Sequence, residues 1–160
     1  MLILHLTNMK ASFPFGIMLV LSFLILSCRQ DQLVVEHDPG LPIYFSTDTV
    51  LFDTLLTARA SITKRLRVFN PNANAIEISG IQLGKGRDSD YSMIVNGKST
   101  PLLNNEVIFG GDSLLILVEV TIDPQDQNLP YLVKDSIVVD WNGNSSNVKL
   151  VAWGQDAVFL

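Results

Sequence analysis

The chain has 160 residues and a formal net charge of −5, with 11 Lys and Arg against 16 Asp and Glu, and a single cysteine. That length holds one folded domain beyond any targeting segment. The acidic balance lacks the electrostatic footprint of a nucleic-acid binder. One cysteine excludes an intrachain disulfide, so stability must come from an apolar core.

The first element is an apolar run, Ile17 to Leu26, inside a segment without charge from Ala11 to Ser27. Its length fits the h-region of a signal peptide and is short for a spanning helix. Lys10 supplies the positive n-region, and Met9-Lys10 reads as a natural start, with residues 1–8 as an extension. Ser27-Cys28 closes the run. A small residue and then cysteine after such a run is the lipobox of bacterial lipoprotein signals. The expectation is a signal peptide over 1–27, cleaved before Cys28, whose thiol carries diacylglycerol. With palmitate-type acylation at its amine as well, Cys28 holds enough chains for stable anchoring in the outer membrane. A second reading stays open, in which Arg29 acts as a stop-transfer charge and the segment remains as an uncut signal-anchor.

Residues 28–42 read as a polar tether ending in the turn Pro39-Gly40, and 43–160 as the folded domain. From Leu41 the apolar pattern has period two. Ser61 to Phe69 puts Ile62, Leu66 and Val68 on one face, and Asn70-Pro71-Asn72 ends it. Ala75 to Leu83 has Ile76 and Ile78 inward, with a bulge or bend expected at Gly80. Gly84 to Asp90 is a loop. Tyr91 to Val95 ends at Asn96-Gly97, a hairpin-type turn. Glu106 to Phe109 is a short strand. Ser113 to Ile122 is apolar on both faces over part of its length and is expected as a central strand. Asp135 to Trp141 and Asn147 to Trp153 are joined by a loop, Asn142 to Ser146. No stretch sustains a helical apolar period. About seven short strands with turn signals between them predict an Ig-like antiparallel β-sandwich following the N-terminal signal helix.

Catalytic chemistry finds little to work with. His37, in the tether, is the one histidine after the signal, and no free cysteine accompanies it. A Ser-His-Asp or Cys-His site would need His37 to fold back onto the domain, and a zinc site lacks its ligand set. Asp88-Ser89-Asp90 and Asp123 to Asn128 offer oxygen ligands, but neither loop alone supplies the six to eight that Ca²⁺ takes. The expectation is no catalytic residue, no metal and no cofactor. Tyr44, Phe45, Tyr131, Trp141 and Trp153 read either as core and edge packing or as a sugar-stacking platform. Trp141 and Trp153 lie at the ends of adjacent predicted strands and are the candidate stacking pair.

The order Asp48-Thr49-Val50-Leu51-Phe52-Asp53-Thr54, Lys64 to Asn72, Asp112-Ser113-Leu114, Glu119 to Pro124 and Leu150 to Ala157 resembles the N-terminal module of Bacteroidetes surface lipoproteins. In longer members an Ig-like sandwich precedes a right-handed parallel β-helix. The segment is also similar to the Ig-like domains named for abnormal spindle and hydin proteins, where a strand ending in Asn-Pro is common. The resemblance covers roughly residues 44–157. Longer members continue past the Trp153-Gly154-Gln155-Asp156 segment, so the chain is either a stand-alone module or the N-terminal part of a β-helix protein. The implied role is non-enzymatic: an anchored spacer or protein-binding module, facing periplasm or cell surface. The alternative is a glycan-binding or adhesion module.

Asp48-Thr49-Val50, Asp53-Thr54-Leu55, Asp112-Ser113-Leu114 and Asp135-Ser136-Ile137 share one pattern: Asp, then Ser or Thr, then an aliphatic residue. It resembles the O-glycosylation acceptor of exported Bacteroidetes proteins. A strand that starts after a turn gives the same triplet by itself. Thr49, Thr54 and Ser136 are the candidate acceptors, and Ser113, opening the most apolar strand, is the poorest.

Overall fold

The structure, a computed structural model, describes residues 33–56, 63–121 and 131–155. The expected signal peptide, Cys28, Ile62 and the Asp123–Asn128 loop lie outside these residues. From Leu33 onward the chain forms one compact unit.

The strands are β1 (Val35–Glu36), β2 (Tyr44–Phe45), β3 (Thr49–Leu56), β4 (Lys64–Phe69), β5 (Ala75–Leu83), β6 (Tyr91–Val95), β7 (Lys98–Ser99), β8 (Leu102–Leu103), β9 (Glu106–Ile108), β10 (Ser113–Val120), β11 (Tyr131–Trp141) and β12 (Asn144–Gln155), with a 3₁₀ turn at Gly86–Asp88. They form two sheets. The first has the order β1-β5-β11-β12-β3, with β8 and β9 also on β5; the second has the order β2-β4-β10-β6-β7. The all-β sandwich expected from the strand spacing is the fold observed.

It is not wholly antiparallel. β3 runs parallel to β12, and β1 runs parallel to β5. Both departures arise because the chain changes sheets early. Tyr44 and Phe45 pair with β4 in the second sheet, and four residues later β3 joins the first. Local periodicity carries no information about which sheet a strand joins.

The core is the set of inward residues from both sheets. In β10, Leu114, Ile116, Val118 and Val120 are buried, while Leu115 and Leu117 are half-buried on the outer face. β10 does lie centrally, between β4 and β6. Leu66 and Val68 of β4 are fully buried, and Arg65 and Arg67 point outward. In β5, Ile76 and Ile78 point inward, and so do Ile81 and Leu83. The change of parity is accommodated by a bulge: Asp140 pairs with Gly80 and Trp141 with Ile78, leaving Ser79 unpaired. The bend expected at Gly80 therefore lets one strand keep its apolar side inward along its whole length.

Two hairpins turn on Asn-Gly. Asn96 and Gly97 have φ of 48° and 78°, and Asn142 and Gly143 have 45° and 79°, the left-handed pair of a type I′ turn. At the second, Trp141 pairs directly with Asn144. The expected Asn142–Ser146 loop is thus a two-residue turn, and β12 starts three residues earlier than the apolar pattern indicates.

Candidate functional site

Asn70 organises one end of the sandwich. It is the only buried polar or charged residue among those described, 1% exposed. Its Nδ2 lies 2.9–3.1 Å from the carbonyl oxygens of Asn74, Ile108 and Phe109. Its Oδ1 accepts from Asn72 N and Asn72 Nδ2. The Asn70-Pro71 corner thereby joins the β4–β5 and β9–β10 connections. Gly110 completes the joint, because a Cβ there would lie 2.0 Å from Ala73 O. The sequence marks Asn70 only as a turn residue; its role depends on carbonyls from a distant segment.

Residues 34–42 lie across this same end. Ala75 N donates to Val34 O, and Asn74 Nδ2 donates to Glu36 Oε1. Asn142 Nδ2 donates to Asp38 O, Asn144 Nδ2 to Pro39 O, Trp141 Nε1 to Leu41 O and Asn72 Nδ2 to Pro42 O. This stretch was expected to be tether. It is a strap instead, bound through its backbone carbonyls, which sequence patterns do not reveal. His37 is exposed within it.

At the opposite end, Asp135 pins the loop after β5. Its Oδ1 accepts from Lys85 N at 3.1 Å and Ser136 N at 2.7 Å, and its Oδ2 accepts from Ser89 Oγ. Tyr91 lies beneath this loop, its ring 5.7 Å from that of Phe52 and its hydroxyl donating to Val133 O at 2.9 Å. Burial, and secondarily the charges of Asp135 and Asp90, raise its pKa above the ordinary value. A cleft of about 390 Å³ opens beside it, lined in part by Arg87, Met93, Thr100 and Pro101. Of the hydroxyls in that lining, Ser89 is the one held by a carboxylate, through its bond to Asp135. Among the described residues no three His, Cys, Asp or Glu side chains converge.

The two tryptophans do not form a pair. Trp153 sits opposite Leu132, and Trp141 opposite Asn144. The nine-residue difference along β11 puts them about 30 Å apart at strand rise. Trp141 is 9% exposed and belongs to the core, whereas Trp153 is 43% exposed. Adjacent strands in a hairpin run in opposite directions, so their C-terminal ends are far apart; the stacking pair expected from the sequence is corrected on that ground. Tyr44 is exposed on the second sheet.

Trp153 has other company. Leu132 faces it across β11–β12, and Val151, two residues along β12, faces Leu51 of β3. Leu51, Leu132 and Trp153 are all exposed and Val151 is half-buried, which makes one apolar patch on the outer face of the first sheet.

The Asp-Ser/Thr triplets fall in unlike settings. Thr49 and Ser113 open their strands, whereas Thr54 and Ser136 lie inside β3 and β11. β3 and β11 each begin earlier than the Thr54 and Ser136 triplets, so a strand start after a turn does not account for these two. Thr54 is exposed because β3 has a bulge, with Phe52 and Asp53 together facing Ala152. Thr49 and Ser136 are half-buried. Gly84 packs over Ser136, where a Cβ would lie 2.6 Å from its Oγ.

No family model matches the sequence, and no curated protein matches it. Solved structures do. A protein of unknown function from Porphyromonas gingivalis W83 aligns with a TM-score of 0.51 at 11% identity, over 72% of this chain and 48% of that one. The PapD-like domain 7 of human CEP192 aligns at 0.48 and 7% identity, over 83% of this chain and 97% of that one. The E. coli chaperone DraB aligns at 0.44 and 13% identity, over 74% and 55%. The chain spans about half the length of the Porphyromonas protein. The likeness is one of fold, the Ig-like β-sandwich expected from the strand pattern.

Proposed function

We propose that the chain is a non-enzymatic lipoprotein module of the outer membrane, anchored through Cys28, that binds a protein through the outer face of its first sheet. The observation that carries this reading is the patch of Leu51, Leu132, Val151 and Trp153. Trp153 has Leu132 opposite it on β11 and Val151 beside it on β12, with polar Thr54 and Lys134 at the border. An aromatic anchor among aliphatic residues with a polar rim is the composition of an interface, where Trp is enriched among the residues that dominate binding. A pure spacer has no use for such a patch. The anchor rests on the apolar run and Ser27-Cys28, and the kinship with Bacteroidetes surface lipoproteins rests on the quoted segments.

Photo-crosslinking in the native host tests the reading. A photoreactive residue in place of Trp153 should yield a protein adduct, and one in place of Asn147, exposed on the same sheet, should not. Equal labelling at both positions, or none at 153, rejects the interface. A change in Trp153 fluorescence on adding envelope oligosaccharides would move the assignment to glycan binding. Cys28→Ala should abolish palmitate incorporation; unchanged incorporation rejects the anchor.

A further inference from the structure

The outer face of the second sheet sets arginines beside aliphatic and aromatic side chains. Arg65 and Arg67 stand on it two residues apart in β4, both exposed. Leu117 lies directly opposite Arg65, and Leu115 opposite Arg67. Ile94 continues the Leu117 row into β6. At the strap end of the face, exposed Tyr44 pairs with exposed Phe69. Neither arginine pairs with a carboxylate among the described residues, where the ion pairs are Lys64–Asp53 and Lys98–Glu106. Glu119, two residues beyond Leu117 on the same face, accepts from Thr63 Oγ1 and forms no ion pair with either arginine. In a chain of net charge −5, two guanidinium groups without an ion pair beside a row of leucines call for an anionic, partly apolar counterpart.

We propose that this face rests on the phospholipid surface in which Cys28 is held, with Arg65 and Arg67 on headgroup phosphates and Tyr44, Phe69 and Leu115 at the interface. The proposal rests on the lipid-anchor reading. Four residues, Arg29 to Gln32, separate Cys28 from Leu33. Five residue steps span at most about 18 Å, so the domain cannot leave the bilayer surface. That leash also exceeds the ~10 Å between packed sheets, which lets the second sheet reach the lipid. Guanidinium is the side chain suited to phosphate because its planar fork donates two hydrogen bonds at once. Arginine can bury its methylene stem along apolar neighbours such as Leu115 and Leu117 and still present its charged head outward. Tyr, apolar in body and polar at its tip, suits the same boundary. With the second sheet on lipid, the Trp153 patch of the first sheet faces away from the membrane, where a partner has access.

The test uses the full acylated protein reconstituted in vesicles of phosphatidylethanolamine and phosphatidylglycerol. A fluorophore is placed at Leu115→Cys or, as control, at Asn147→Cys; acylated Cys28 does not compete for the label. Nitroxide-headgroup lipids should quench the label at 115 at least threefold more than the label at 147. Arg65→Glu with Arg67→Glu should remove that difference while the protein still floats with the vesicles. Equal quenching at both positions in a protein that floats overturns the lipid-facing sheet and leaves the anchor intact. Failure to float overturns the anchor itself. Shielding of position 115 in native envelopes but not in protein-free vesicles would assign the face to a protein partner and overturn the lipid contact.

Discussion

Trp141 Nε1 donates a hydrogen bond to the carbonyl oxygen of Leu41 at 3.0 Å, joining residues 100 positions apart. The indole is packed in the core, and its polar edge holds the strap that carries the chain into the domain. Trp141→Phe keeps most of the buried ring and removes the donor. Its expected cost is about 1 kcal/mol, that of one hydrogen bond. The amide of Ala75, which donates to Val34 O, should then exchange faster. Trp141→Ala should cost about 3–5 kcal/mol. Urea midpoints that do not separate the two variants would show that the indole contributes little packing.

Asn70→Ala leaves the carbonyls of Asn74, Ile108 and Phe109 without their shared donor in a buried corner. The loss should be about 2–3 kcal/mol, the cost of unsatisfied buried acceptors. Asn70→Asp should be no better at neutral pH, since a carboxylate would then face those same carbonyls. A urea midpoint for Asn70→Asp close to wild type would mean that the acceptor side of Asn70, toward Asn72, is what matters.

Ile116 and Leu117 are neighbours on β10, and the pleat separates their fates. Ile116 is fully buried, so Ile116→Ala should cost about 2–5 kcal/mol. Leu117 is half-buried on the outer face, so Leu117→Ala should cost clearly less. Arg65→Ala, in the protein free of lipid, should stay within about 0.5 kcal/mol. Denaturant melts of the three variants should rank in that order.

Tyr91 should give the protein an alkaline limit. Its folded pKa is raised, chiefly by burial, above the ordinary phenol value of about 10. The neutral phenol is therefore favoured in the folded state, and its contribution is complete below pH 10. Above that the unfolded chain ionises first, so stability falls by up to about 1.4 kcal/mol per pH unit for this one group. Tyr91→Phe should lower stability at neutral pH, through the lost bond to Val133 O, and flatten the alkaline slope. Urea titrations between about pH 8 and pH 11 check both, and an unchanged slope would rule out Tyr91 as its source.

If the host glycosylates the Asp-Ser/Thr triplets, Thr54 should be the principal acceptor, since it is exposed. Ser136 lies under Gly84 and Ser113 opens the central strand, so both should be bare. Intact-mass analysis of the delipidated native protein, with Thr54→Val beside it, reads this directly. A mass equal to the bare polypeptide would leave the triplets as structural residues, the part Asp135 plays when it accepts from Lys85 N and Ser136 N.

The strands were legible in the sequence wherever burial is one-sided. Leu66 and Val68, Ile76 and Ile78, and the run Tyr91 to Val95 alternate as a half-buried pleat must, and the expected strands stand there. The turn residues were legible too, because Asn and Gly accept positive φ; only the loop length at Asn142-Gly143 was misread, since the polar residues Asn144 to Asn147 look like loop until their pairing with β11 is known.

What the sequence by itself determined is therefore the fold class and the strands with one apolar side. Both are written in local residue order, as a period of two between turn signals. Only the tertiary structure decided the rest. The bulge at Phe52-Asp53 turns Thr54 outward, where simple alternation from Val50 and Phe52 would bury it. Hairpin direction sends Trp141 and Trp153 to opposite ends, so that one fills the core and the other anchors a surface patch. Residues 34–42 become a strap because asparagines from distant turns reach their carbonyls. All three depend on register between strands far apart in sequence. Register is set when the whole core closes, and no local window of residues contains it.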